Sequence, residues 1–296
     1  MLMQWQRRLI STMTITSKTK LPTSTAYYSS SSENILNKEH YESHTSSSYD
    51  SAYFYSPQGN YTSFLCKKVQ QTLGDIKSNS NKEWLLDIGG GTGTFTKMLM
   101  DKSDLTGVIL DPYFNENDDK LFFVKGAADD LIVNDDAWWK AKDKYKYCLM
   151  KEVIHHLSVD NRIDIFRGIL SVLKPSNNPS LLIITRPKYD IDYPLWPQAK
   201  TVWSDNQPSA DGVISDLQSA GFINVASNTI IYPCIMNMNQ WLGMVKGRVW
   251  STFSHFDKEE LDQGCDWIMK NVDVDEDGNI SFEDRLIFIT ASKQPS

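Results

Sequence analysis

Leu85-Leu86-Asp87-Ile88-Gly89-Gly90-Gly91-Thr92-Gly93 joins an apolar run, an acid and three glycines on alternate positions. The stretch reads as a strand ending in a tight turn without side chains, at the mouth of a helix from Thr94. Glycine reaches positive φ without strain and lets a ligand approach with no Cβ in the way. The start of a helix points unpaired N–H groups and a positive dipole end outward, so an anionic or carboxylate-bearing ligand fits there. Two phosphate-binding patterns fail. G-x-G-x-x-G counted from Gly89 needs glycine where Thr94 stands, and no Lys-Ser/Thr follows as a P-loop requires. What remains is D-x-G-x-G-x-G, with Asp87 two residues before the first glycine.

Outward from this turn, strands and helices alternate. Strands are expected at Trp84–Ile88, Leu105–Asp111, Leu121–Lys125, Tyr145–Met150 and Ser180–Thr185. Helices are expected at Thr94–Asp101, Asn134–Lys142 and Asn161–Leu173, the last stopped by Pro175. Ser180–Thr185 is almost wholly apolar, as in a sheet buried on both faces. The alternation implies an α/β fold with a doubly wound parallel sheet. Beyond Arg186 the pattern loosens. Pro187, Pro194, Pro197 and Pro208 read as a punctuated loop holding Trp196 and Trp203. Helices at Asp211–Ala220, Asn237–Lys246 and Lys258–Met269 and strands at Ile223–Tyr232 and Ile280–Ala291 complete the reading, with Gly221 as a helix C-cap.

Composition narrows the class. At 296 residues with 41% hydrophobic and 23% charged content, the chain can bury a normal core. No apolar run approaches the roughly 20 residues of a membrane span. Cys66, Cys148, Cys234 and Cys265 are scattered, with no C-x-x-C pair, which argues against a zinc site or a disulfide framework. The net charge is −7, and residues 1–32 hold four cations and no acid, so the body is more acidic still. Such a body repels phosphate backbones, which disfavours a nucleic-acid partner. The N-terminal segment is Ser-rich, with Leu2, Trp5, Leu9, Ile10 and Met13 on one helical face and Arg7 and Arg8 off it. That is the profile of a mitochondrial transit peptide, with a tail on a cytoplasmic protein as the alternative. Residues 1–40 are therefore set apart from the fold.

Open α/β sheets bind ligands beyond the carboxyl ends of their strands. Asp111 ends the second strand, about 20 residues past the glycines, where an acid accepts ribose hydroxyls. A dinucleotide would use it equally, and a plain turn acid before Pro112 is the bland alternative.

The D-x-G-x-G-x-G run followed by Asp111 resembles the class I S-adenosylmethionine-dependent methyltransferases, strongly over 83–186 and in layout beyond. The resemblance implies a Rossmann-like seven-stranded sheet, mostly parallel with one antiparallel strand, under a helical cap. It divides residues 41–296 into an N-terminal lid (41–82), a cofactor-binding core (83–186), a C-terminal half with cap insertions (187–279) and a last strand (280–296). Asp87, Gly89, Gly91 and Gly93 would hold the methionine end of S-adenosyl-L-methionine, with S-adenosyl-L-homocysteine as product. After the third strand many members carry acid-Ala-acid. Here Ala127 replaces the first acid, so the adenine role passes to Asp129 with the backbone of Ala128. Glu152, at the end of the fourth strand, completes the cofactor set. That strand lacks the Asn/Asp-Pro-Pro-aromatic clamp of members that act on nucleobases or protein amides. Its His155-His156-Leu157 run is similar to the small-molecule and quinone methyltransferases. Either histidine could accept a proton near the methyl group, or merely bond backbone.

For the acceptor, Tyr53, Tyr55 and Tyr61 lie in an aromatic segment that the family layout folds over the pocket. Arg186, ending the fifth strand, and Arg248, in the cap, are the candidates for gripping a carboxylate. The expected acceptor is a small carboxylate-bearing metabolite. One form of it is the thioether sulfur of a methylthio acid such as 4-methylthio-2-hydroxybutyrate. O-methylation of a carboxylate or quinone-type ring, a non-catalytic methyltransferase-fold binding protein and a nicotinamide oxidoreductase are the alternatives. Asp273–Asp284 spaces its acids like a calcium loop, but its exit reads as strand and Asp277-Gly278 as a turn, so no metal is assigned.

Overall fold

Each buried strand of this chain sends alternate side chains to opposite faces, so it needs helices on both. The computed structural model describes residues 60–74, 83–101, 103–113, 121–133 and 136–295. The expectations for residues 1–40 and for Tyr53 and Tyr55 fall outside these. In chain order the elements are α1 (Asn60–Leu73), β1 (Trp84–Ile88), α2 (Thr94–Leu99), β2 (Thr106–Asp111), β3 (Leu121–Lys125), β4 (Tyr147–Lys151), α3 (Val159–Val172), β5 (Leu181–Thr185), α4 (Pro197–Asn206), α5 (Ala210–Ala220), β6 (Ile223–Asn237), α6 (Met238–Lys246), α7 (Lys258–Asn271) and β7 (Asn279–Ser292). Among the described residues no helix is long and apolar enough to cross a membrane.

The strands form one sheet in the order β3-β2-β1-β4-β5-β7-β6. The strands from β3 to β5 pair in parallel, and β7 is the reversed strand, antiparallel to both β5 and β6. Adjacent residues of β4 show the two-sided burial. Leu149 faces a core that includes Leu65 and Val69 of α1. Met150 faces one that includes Ile165, Phe166 and Ile169 of α3 and Val213 and Leu217 of α5. Each such fully buried side chain contributes roughly 1.5–3 kcal/mol. The helix ends follow local chemistry: Ser158 accepts from Asp160 N at the start of α3, Ser209 from Gly212 N at the start of α5, and Gly221 closes α5 at φ +102°.

Three sequence expectations are corrected. Asn134–Lys142 is no α-helix; its described part holds only a 3₁₀ turn over Trp138–Lys140. Adjacent tryptophans cannot share a helical face, and they part here. Trp139 is buried beneath the Tyr145 hydroxyl, which donates to its carbonyl, while Trp138 stays exposed against Trp84 and Phe122. The proline-marked loop contains helix α4, with Pro197 in its first turn, where the missing N–H costs nothing. Its Trp196 and Trp203 are buried in an aromatic core. There Trp250 meets Tyr193, Trp203, Trp241 and Phe253 at 4.8–5.8 Å between ring centroids.

The third correction matters most for function. β6 runs past Tyr232 to Asn237, through Pro233, which an edge strand tolerates. β5 pairs with β7 only from Leu181↔Ala291 to Thr185↔Ile287, whereas β6 and β7 stay paired to Asn237↔Asn279. The β6–β7 ribbon thus overhangs the carboxyl end of β5 and stands as a wall beside it.

Candidate active site

The carboxyl ends of β1, β2, β4 and β5 lie side by side, with the chain's topological switch between β1 and β4. At the end of β1 the alternate glycines all take left-handed conformations, with φ +69° at Gly89, +57° at Gly91 and +74° at Gly93. A Cβ on Gly89 would lie 2.3 Å from the side chain of Val153. Gly89 N donates to Leu110 O at 2.7 Å and Gly91 N to Asp111 Oδ2 at 2.9 Å, so the turn is pinned to β2. Tyr113 N donates to the other Asp111 oxygen at 2.8 Å. Helix α2 has only six residues, so its dipole adds little. The backbone shape of the turn is the main feature.

Asp87 lies buried beneath the turn. Thr96 donates to its Oδ2, while Oδ1 has no partner among the described residues. Burial pushes this carboxyl up to about 7, against the pull of the Thr96 bond and the Lys151 charge, and the Asp111 charge adds to the rise.

The turn after β3 follows on from Asp111, whose carbonyl accepts from Gly126 N at 3.1 Å. Ala128 is buried there. Asp129 is exposed and its Oδ1 accepts from Asn161 Nδ2 at 3.0 Å, while Asp130 folds back to Ala127 N.

Glu152, just beyond β4, holds φ +59°, a left-handed conformation that costs a non-glycine residue energy. Its Oε2 pairs with Arg186 Nη1, and its Oε1 is buried without a partner among the described residues. Burial raises its carboxyl above the usual range, opposed by Arg186 and Lys151 and reinforced by Asp284. His155 and His156 follow in a 3₁₀ turn with ring centroids 4.0 Å apart. Burial drives His156 down to about 4. Burial, followed by the neighbouring His156 and Arg186 charges, holds His155 well below its usual value. Burial thus makes both imidazoles weaker bases than a free histidine.

Arg186 is also corrected. Its guanidinium is buried and committed to the protein's own carboxylates. Nε and Nη2 donate to the two oxygens of Asp284 at 3.0 and 3.1 Å, and Nη1 pairs with Glu152. Nε lies 2.5 Å from the Tyr193 hydroxyl. Asp284 also accepts from the hydroxyls of Tyr61, at 2.9 Å, and Tyr193. Tyr61 is thus a buried member of this network and brings α1 onto the overhanging ribbon. Arg248, at φ +51°, is half-buried and donates from Nη2 to Phe256 O at 2.9 Å in the cap.

Sequence reasoning missed Asp284, which lies 98 positions from Arg186, and Tyr193, which is only seven residues past Arg186 but turns back to it and to Asp284 only in the fold. It also missed Lys151, half-buried at the end of β4 with Nζ 5.3 Å from the Phe95 ring centroid. Its strand-end position was the available signal. Asp284 had been noticed only as the end of the acidic loop, yet it is fully buried against Arg186. The rest of that loop is a turn. Gly278 sits at φ +76°, and Asp275 accepts from Asp277 N, Asn279 N and Asn279 Nδ2. Among the described residues no three His, Cys, Asp or Glu side chains gather as a metal site would need.

The sequence matches the family described as "Methyltransferase domain" over residues 58–226. Comparison with curated proteins returned no match. Among solved structures, a putative methyltransferase from an antibiotic biosynthesis pathway of Anabaena variabilis is 13% identical. The match covers 76% of this chain and 96% of that one, at a TM-score of 0.51. Phosphoethanolamine N-methyltransferase 2 of Haemonchus contortus, with S-adenosyl-L-methionine bound, is 13% identical at a TM-score of 0.46. That match covers 82% of this chain and 58% of that one, so the chain spans a little over half the length of the Haemonchus enzyme. At these identities the likeness is one of fold.

Proposed function

The chain belongs to the methyltransferase domain family, and we propose that it transfers a methyl group from S-adenosyl-L-methionine to a small molecule. The observation that carries this reading is the glycine turn. Gly89, Gly91 and Gly93 are all left-handed, Asp111 grips the turn, and Asp87 Oδ1 lies buried without a partner among the described residues. The donor set fits the cofactor. Asp87 offers an acceptor for an ammonium, and Asp111 is a carboxylate to which ribose hydroxyls can donate. Ala128 and Asp129 stand at the next strand end, where an adenine would reach them. The bound cofactor supplies a methyl group on a sulfonium, a displacement that needs positioning more than acid–base help.

The chain's own residues supply that positioning. The pinned glycine turn fixes one wall, and Arg186, Asp284, Tyr61 and Tyr193 lock α1 and the β6–β7 ribbon into another. A methylthio acid or another carboxylate-bearing acceptor would need a cation, and Arg186 is engaged with Asp284 and Glu152. The acceptor proposed is therefore a small molecule that does not depend on Arg186. Isothermal calorimetry with S-adenosyl-L-homocysteine tests the cofactor. Labelled donor with a cell metabolite extract, read by mass spectrometry, tests turnover. Cofactor binding without any labelled product would favour the non-catalytic alternative, and displacement of S-adenosyl-L-homocysteine by a nicotinamide dinucleotide would overturn the reading. We also propose that residues 1–40 address the chain to the mitochondrion. A fluorescent protein fused behind them should co-localise with a mitochondrial dye, and a diffuse signal would refute this.

A further inference from the structure

Two buried carboxylate oxygens at the strand ends lack partners among the described residues, Asp87 Oδ1 and Glu152 Oε1. The methyl donor accounts for the first. The second stands on the far side of β4, turned toward β5. Glu152 is bonded to Arg186, and Arg186 in turn to Asp284 of the overhanging ribbon. Val153, the next residue, packs against Gly89, so this oxygen is close to the glycine turn but does not belong to it.

Among the described residues, the Arg186 guanidinium contacts both carboxylates, and Lys151 is a second cation that acts on Glu152. Asp284 is well satisfied, with two bonds from Arg186 and one from each tyrosine. In this network Glu152 Oε1 is the carboxylate oxygen without a donor among the described residues. A buried acceptor without a donor costs about 1–3 kcal/mol, and more when charged. His155 Nδ1 and Thr185 Oγ1, buried at the ends of the same two strands, also lack partners among the described residues. Thr185 Oγ1 can donate or accept, and His155 Nδ1 does either by tautomer. An ionised Glu152 Oε1 only accepts, so a ligand that relieves it must bring a hydrogen-bond donor, and an ammonium is the donor that suits a carboxylate. A carboxylate brings no donor and would set another negative charge beside Glu152.

We propose that the methyl acceptor is a small amine, held as its ammonium by Glu152 Oε1. This rests on the methyltransferase reading above and adds the substrate class to it. To react, the ammonium gives one proton to Oε1, and the freed nitrogen lone pair forms a bond to the methyl carbon. The carbon–sulfur electron pair stays on sulfur, leaving a neutral thioether and a methylated ammonium. The carboxyl proton then exchanges with water.

The full chain, first shown by calorimetry to bind S-adenosyl-L-homocysteine, is incubated with labelled methyl donor. It receives either a panel of small primary and secondary amines, including ethanolamine, or the matching carboxylic acids, including glycolate. Label in the amines alone is expected. Label in the acids, or in neither panel, overturns the proposal. A chain that binds no S-adenosyl-L-homocysteine overturns the methyltransferase reading and this one with it. Glu152, placed with the cofactor in the sequence reading, is assigned here to the acceptor, so Glu152→Gln should keep S-adenosyl-L-homocysteine affinity within about twofold, which also reports a folded site, while kcat/KM for the labelled amine falls about 100-fold. An equal fall in both would place Glu152 on the donor and overturn the assignment.

Discussion

The glycine turn after β1 and the polar network beyond β5 are neighbours in space, yet they were encoded in different ways. In the turn, Asp87, Thr96 and the three glycines lie within ten residues of one another, and Asp111 follows soon after. In the network, Arg186 meets Asp284 across 98 positions and Tyr61 meets it across 223. The first region works through backbone shape, which glycine spacing announces. The second works through compensation of buried charge, which no local pattern announces. A lone arginine at a strand end looks the same in sequence whether its carboxylate is a substrate or another part of its own chain.

The sharpest way to break this contrast is Arg186→Ala. If the network is structural, the variant strands two carboxylates and loses about 3–5 kcal/mol of unfolding free energy by urea titration. A stability loss under 1 kcal/mol would return Arg186 to the ligand side of the comparison.

Next in size is the pH response of Asp87. Its folded value near 7 lies above the ordinary value of 3.8, so between these limits the folded state binds more protons than the unfolded chain. Stability of the ligand-free protein should therefore fall as pH rises from about 4 to 7, by up to roughly 4 kcal/mol. Asp87→Asn should flatten that slope, and an unchanged slope would detach it from Asp87.

Gly91→Val tests the turn itself. A β-branched residue at φ +57° is strained and would intrude on the turn. S-adenosyl-L-homocysteine affinity should drop at least about 100-fold, close to 2.7 kcal/mol, and unchanged affinity would remove the cofactor from this turn.

Tyr61→Phe is the mildest probe. It deletes one hydrogen bond to the Asp284 carboxylate and should cost about 1.5–3 kcal/mol by urea titration. No loss would mean that α1 is held by apolar packing alone.

Legibility followed the range of the interaction. Trp84–Ile88 and Leu121–Lys125 match the structure residue for residue, because each is an apolar run between clear breaks. Gly221 was readable as a cap because only glycine takes φ +102° without strain. Helix α4 was hidden, since Pro197 reads as a breaker until it is known to stand in a first turn. The length of β6 was hidden too, since Pro233 is tolerable only on an edge and edges are a property of the assembled sheet. His155 and His156 were visible as residues, but not the lowering of their basicity, which burial imposes.

The sequence by itself determined the alternating α/β order, the left-handed glycine turn and the acids Asp87 and Asp111 that frame it. These depend on backbone conformation and on neighbours close along the chain. Only the tertiary structure decided which charges meet. The β6–β7 overhang carries Asp284 past the end of β5 to Arg186, and Glu152 keeps a buried oxygen without a partner among the described residues. A buried charge must find its partner wherever the fold brings one, so its role is set by assembly and not by position in the chain.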